Sequence, residues 1–169
     1  MAESESLGVV LDAGPIIHLN ELGCLDLLEG FGELRVPHTV WKDVQDHRPQ
    51  LLTARVAKLK LLDGVINPSA ALATLVQGLD LDAGEIAALC LLEQTGGELF
   101  LCDDAAARLA AESLGFKVHG TIGIVVRAIR RGTRTAAQVK SILEQIPTQS
   151  TLHVSRSLLA EIIRLLPER

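Results

Sequence analysis

Five carboxylates stand where the chain passes from a strand-like run into a helix, or within a turn or two of that point. Asp12 ends the apolar run Leu7–Leu11, and Asp103 and Asp104 end the run Glu98–Cys102. Glu85 lies in the first turn of a segment opened by Asp82, and Asp43 follows the run Glu33–Pro37. Two ionised carboxylates ~4 Å apart repel by about 4 kcal/mol at an effective dielectric near 20. If these groups converge, either one holds a proton or a divalent cation compensates. All-oxygen donors without histidine or thiolate suit hard ions, Mg²⁺ or Mn²⁺, rather than zinc. Such a site aligns water against a phosphodiester and stabilises the leaving oxygen. Each acid also has a plain structural use. Asp12 suits a turn or helix cap before Pro15, and Asp82 with Glu85 has the spacing of a capping box. One of Asp103 and Asp104 is expected as an N-cap, and Asp43 fits a solvated helix position. The joint placement at strand ends and helix starts is what points to chemistry.

Basic residues form a second set. Arg108 follows Asp104 by four residues, so it either pairs with that acid or meets substrate phosphate. Arg127, Arg130, Arg131 and Arg134 gather at the end of a helix, where they complement its dipole or track a nucleic-acid backbone. The net charge is −5, which argues against nonspecific coating of nucleic acid. Residues 1–100 carry 6 basic and 15 acidic side chains, whereas 101–140 carry 7 basic and 3 acidic. A local basic edge is therefore compatible with the global sign. Aromatics make up 2% of the 169 residues, which disfavours a protein that grips single strands by base stacking.

The three cysteines, Cys24, Cys90 and Cys102, form no CxxC pair and sit among apolar neighbours, so they read as small core residues. The longest clean apolar stretch, Ile86–Leu92, is far below the roughly 20 residues that span a bilayer. The opening MAESES is acidic and lacks the order of a signal peptide. These features predict a cytoplasmic protein with no membrane segment.

The elements that must position the acids follow from hydrophobic periodicity. Strands are predicted at 7–11, 33–37, 98–102 and 116–119, with a brief extended piece at 65–68. Apolar positions from Ile16 to Leu28 fit one helix or two joined near Gly23. Further helices are predicted at 39–46 (capped by Thr39), 51–61, 82–94, 104–114, 122–131, 135–145 and 155–166, with 63–81 as a loop. Strands alternating with helices imply an α/β fold with a mainly parallel sheet covered on both faces. If the strands ending at Asp12 and Asp103 are neighbours across the point where strand order reverses, their carboxylates face one crevice.

Five segments carry a resemblance: Val9–Leu19 (VVLDAGPIIHL), Val36–Val44 (VPHTVWKDV), Leu81–Leu89 (LDAGEIAAL), Leu99–Arg108 (LFLCDDAAAR) and Gly115–Ile124 (GFKVHGTIGI). In this order and spacing the chain resembles the PIN-domain nucleases, especially a subgroup related to the toxins of type II toxin–antitoxin pairs. The resemblance implies a three-layer α/β/α sandwich, one domain over 1–169 with its core at 7–132 and C-terminal helices at 133–167. It implies a Mg²⁺- or Mn²⁺-dependent ribonuclease with RNA as substrate. It assigns Asp12 as the first metal ligand, Glu85 as the helix acid, and Asp103 or Asp104 as the strand-end acid. Asp43 takes the place of a second family acid that is usually glutamate. Many members carry a small hydroxyl residue just after the first aspartate. Ala13 and Gly14 stand there instead, so one orienting hydrogen bond is expected to be missing. The resemblance also allows a small antitoxin laid over the acidic crevice. The apolar face of the C-terminal helix is expected to pack back on its own sheet, with a homodimer or partner contact as the alternative.

Two other readings compete. One is a catalytically degraded PIN-like module that binds protein, its acids reduced to caps. The other is a receiver-like domain, which also gathers aspartates around Mg²⁺, although paired acids early in the chain and a well-placed late lysine are absent.

Overall fold

A computed structural model describes residues 8–52, 58–63 and 66–168. Its sheet is five-stranded and parallel throughout, in the order β3-β2-β1-β4-β5. The strands are β1 (Val9–Leu11), β2 (Leu34–Pro37), β3 (Leu59–Leu62), β4 (Leu99–Leu101) and β5 (Lys117–His119). Every residue of β1 is buried. A parallel strand with both faces covered reads as a continuous apolar run, as Val9-Val10-Leu11 does. The sheet is thus the middle layer of an α/β/α sandwich. The first three strands build outward to one side and the last two to the other, so strand order reverses between β1 and β4. This order differs from the 2-1-3-4-5 arrangement of receiver-like domains, which removes that reading.

The helices are α1 (Ala13–Glu21), α2 (His38–His47), α3 (Ala70–Gly78), α4 (Ala83–Gln94), α5 (Ala105–Ser113), α6 (Thr121–Arg130), α7 (Ala136–Gln149) and α8 (Arg156–Arg164). The α4 helix is apolar nearly all round, from Ala87 to Leu92, and is correspondingly buried against β1 and β2. Its start is the expected capping box of Asp82 and Glu85. The segment after α1 turns at Gly23, in the left-handed region at φ 65°, and continues as a separate 3₁₀ helix, Leu25–Phe31. The same hydrophobic cluster takes in Val139, Leu143 and Ile146 of α7 and Leu159 of α8. Cys24, Cys90 and Cys102 are free and buried, as read from the sequence.

Several expectations are corrected. The helix predicted over 51–61 is instead a 3₁₀ turn, Pro49–Leu52, and the edge strand β3; residues 53–57 lie outside the described set. β3 is an edge strand, only half covered, and so lacks the buried apolar run that marks a central strand. The predicted loop 63–81 contains α3, capped by Ser69, whose hydroxyl accepts from the Leu72 N–H at 3.1 Å. Of the extended piece at 65–68, Val65 is outside the described residues and Ile66–Pro68 is irregular. Pro37, not Thr39, is the N-cap residue of α2.

Candidate active site

The switch point places the first acids. Leu11 of β1 pairs with Leu101 of β4, and the Asp12 N–H donates to the Leu101 carbonyl at 3.0 Å. Asp12 and the Cys102–Asp104 turn therefore leave the sheet side by side. Packing of α4 against β1 and β2 brings Asp82 and Glu85 to the same edge. The α2 helix delivers Asp43 through a close approach at Gly84. A Cβ on residue 84 would stand 3.2 Å from Asp43 Oδ2 and 3.3 Å from Asp82 Oδ1. All five predicted acids, with Asp82, line one open cleft of about 480 Å³.

Asp12 is 7% exposed. It occupies the N-cap position of α1 yet makes no side-chain capping bond there, so capping does not explain it. Burial pushes its carboxyl up to about 6, with Asp82 and Asp103 adding repulsion and the Ala13 N–H and Cys102 thiol opposing. The Cys102 Sγ–H donates to Asp12 Oδ2 at 3.4 Å, and burial keeps that thiol firmly protonated. Glu85 is 8% exposed and is pushed up to about 7 by burial, then by Asp82, Asp104 and Asp12, against the pull of the Asp82 N–H. That N–H donates to Glu85 Oε2 at 2.9 Å, while the Glu85 N–H donates to Asp82 Oδ1 at 2.8 Å.

The two strand-end aspartates separate cleanly. Asp104 is exposed and caps α5, accepting from the Ala107 N–H at 2.9 Å. Asp103 turns inward. Its Oδ1 accepts from the Thr121 N–H at 2.7 Å, and its Oδ2 from the Thr121 hydroxyl at 2.6 Å and from His18 Nδ1 at 2.7 Å. Burial alone would raise the Asp103 carboxyl, but these bonds outweigh it and hold the group below the ordinary aspartate range. Asp43 is exposed on α2.

Among the described residues, six carboxylates line the cleft and no lysine or arginine does. Two of them, Asp12 and Glu85, are buried, so a proton or a cation is needed to offset their charge. Among the described residues no three histidine, cysteine, aspartate or glutamate side chains form a ready cage around one ion. Mg²⁺ is commonly held by one or two carboxylates, with water and substrate phosphate completing its shell. The oxygen donors here fit such an ion.

Sequence reading missed His18 and Thr121, and also the segment Thr151–His153, which forms one wall of the cleft. That wall is held by Glu21. Its carboxylate accepts from the Ser150 hydroxyl (2.9 Å), the Thr151 N–H (2.7 Å) and Arg48 Nη2 (2.8 Å). Burial raises Glu21, but Arg48, Thr151 and Ser150 outweigh it and hold the carboxyl at about 2.

Of the five arginines, Arg108 alone reaches the acids. Its Nη1 and Asp103 Oδ1 both lie within 3 Å of where a Cβ on Gly120 would stand, and the i,i+4 ion pair with Asp104 is not formed among the described residues. Arg108, His119 and His153 border a second cleft that shares Asp103 with the first. Arg127 and Arg130 border a third, reached past His119. Arg131 and Arg134 lie farther on, with Arg127. Two of these side chains have structural partners: Arg127 stacks on Phe31, 4.1 Å from the ring centroid, and Arg134 holds Asp26 at 2.7 and 2.9 Å.

The acids thus collect at the switch point of a parallel α/β/α sandwich. The chain belongs to the PIN-domain family, whose sequence model matches residues 8–168, and whose members are generally nucleases. No curated protein matches it.

Proposed function

We propose that the protein is a Mg²⁺- or Mn²⁺-dependent endoribonuclease that hydrolyses RNA phosphodiester bonds. The observation that carries this reading is the pair of buried carboxylates, Asp12 and Glu85, that face further acids in a cleft lined by no lysine or arginine among the described residues. Asp12 and Asp103 would hold the ion from adjacent strand ends, with Glu85 and the exposed Asp104 closing the edge. Asp43, one methylene shorter than the usual family glutamate, would act through a water. A bound divalent ion supplies charge for the leaving oxygen and orients the attacking water. The chain's part is to fix the carboxylates and to set phosphate against them. Arg108 would make that contact, and Arg130 and Arg131 would meet phosphates farther along the strand.

The subgroup resemblance further suggests a toxin restrained by a small antitoxin laid over the cleft, acting in the cytoplasm. Among the described residues no helix is long and apolar enough to cross a membrane. Leu158 of α8 and Leu165 just past its end are exposed, which suits the suggested self-association. The structural use of Asp82 and Glu85 in a capping box, and of Asp104 as a cap, favours a second reading, a PIN-like binding module without turnover. Cleavage of a labelled structured RNA with Mn²⁺, Mg²⁺ or EDTA decides between them. The nuclease reading expects cutting that requires metal and is lost in the double variant Asp12→Asn, Glu85→Gln. Wild-type protein that neither cuts nor binds Mn²⁺ leaves the module.

A further inference from the structure

Asp103 and Asp12 belong to different strands, and the distance between their carboxylates depends on how the β4–α5 turn is tied to α1. His18 makes that tie. It lies on α1, six residues beyond Asp12, and its Nδ1 meets Asp103 Oδ2 at 2.7 Å across a separation of 85 residues. Both side chains are nearly covered, at 14% and 11% exposure, so the bond is shielded from competing water. Gly14 makes it geometrically feasible. Residue 14 precedes His18 by one helical turn on the same face, and a Cβ there would stand 3.3 Å from both Asp103 Cβ and Oδ2. Without that Cβ, the carboxylate lies against the start of α1 and within reach of the imidazole. The missing hydroxyl after Asp12 is therefore accompanied by a different orienting bond.

We propose that His18 is the positioning residue of the acidic site, fixing the Asp103 carboxylate relative to Asp12 so that both address one divalent ion. Thr121 holds Asp103 from the β5–α6 side, and His18 holds it from the side of Asp12. Strand pairing sets the two backbones side by side; Thr121 fixes Asp103 from one side, and the bond to the helix that begins at Asp12 fixes its carboxylate from the other. Partners that orient a ligating carboxylate typically contribute 10–100-fold in metal affinity. The inference rests on the nuclease reading and adds to it a residue that need not touch substrate.

The test compares wild type, His18→Ala and His18→Asn. The asparagine amide keeps an N–H donor near the Nδ1 position, whereas alanine removes it. Four quantities are measured on each protein: the Mn²⁺ dissociation constant by calorimetry, the melting temperature of the metal-free form, and kcat and KM for RNA cleavage. In His18→Ala we expect Mn²⁺ binding weakened roughly 10–100-fold, a fall in kcat, and KM for RNA unchanged. His18→Asn is expected to recover most of the Mn²⁺ affinity. If His18→Ala binds Mn²⁺ like wild type, or differs only in melting temperature, the positioning role is overturned while the nuclease reading stands. Failure of His18→Asn to recover affinity, with its metal-free melting temperature intact, also overturns it. Wild type that binds no Mn²⁺ and cuts no RNA overturns both together.

Discussion

Replacing Asp12 by asparagine should make the metal-free protein more stable at alkaline pH. Burial raises this carboxyl from the ordinary 3.8 to about 6. The folded state therefore holds the proton more tightly than the unfolded chain does. That contribution is fully present below pH 3.8 and is lost as pH rises through about 6. Above that range the ionised carboxylate costs the fold on the order of 3 kcal/mol relative to a neutral group. Asparagine keeps the shape, and its carbonyl can still accept from the Cys102 thiol. In urea unfolding with EDTA, Asp12→Asn should exceed wild type by about 2–3 kcal/mol at pH 8, and by under about 1 kcal/mol at pH 4. In a domain of this size that is a rise in Tm of roughly 4–12 °C at pH 8. A variant no more stable than wild type at pH 8, or one with the same advantage at both pH values, would refute the reasoning.

Mn²⁺ at a hundred times its Kd should raise wild-type stability at pH 8 by about 2.7 kcal/mol and leave Asp12→Asn unmoved, as thermal melts would show. Gly84→Ala forces Asp43 and Asp82 apart by a few tenths of an ångström, so it should weaken Mn²⁺ binding in calorimetry while the circular dichroism spectrum stays native. Glu21→Gln should cost about 1–3 kcal/mol at pH 7. Because Glu21 is held at about 2, that contribution is present above the ordinary glutamate value and fades as pH falls toward 2, which unfolding at pH 7 and pH 3 checks. If Arg130 and Arg131 meet RNA phosphates, alanine at both should flatten the plot of log K against log salt by roughly 1.4, at about 0.7 per contact on single strands. An unchanged slope would confine them to a solvated surface.

The parallel sheet and the meeting of acids were legible because β1 and β4 are short unbroken apolar runs, each with a carboxylate one or two residues after it. Asp12 beside Asp103 required only that β1 and β4 be neighbours, and they are. What local patterns hid was non-local. His18 looked like one more helix residue until strand order placed Asp103 against it, and its spacing of four from Gly14 was the available signal. Thr121 and the Glu21 clamp on residues 150–151 join segments 18 and about 130 residues apart, which no periodicity reports. Arg127, Arg130, Arg131 and Arg134 were read as one group, and Arg108 apart from them. In the structure Arg108 borders the acids, Arg127 and Arg134 hold Phe31 and Asp26, and the set spreads over several clefts. The edge strand β3 was mistaken for helix because half coverage erases the buried run on which strand reading depends.

The central claim is that these carboxylates hold a divalent ion at the β1/β4 switch point. An anomalous-difference map from crystals grown with Mn²⁺ tests it most directly. The account predicts a peak within the cleft in contact with Asp12 and Asp103, absent in Asp12→Asn. Ordered carboxylates with no peak between them at saturating Mn²⁺, or a peak held only elsewhere, would contradict it.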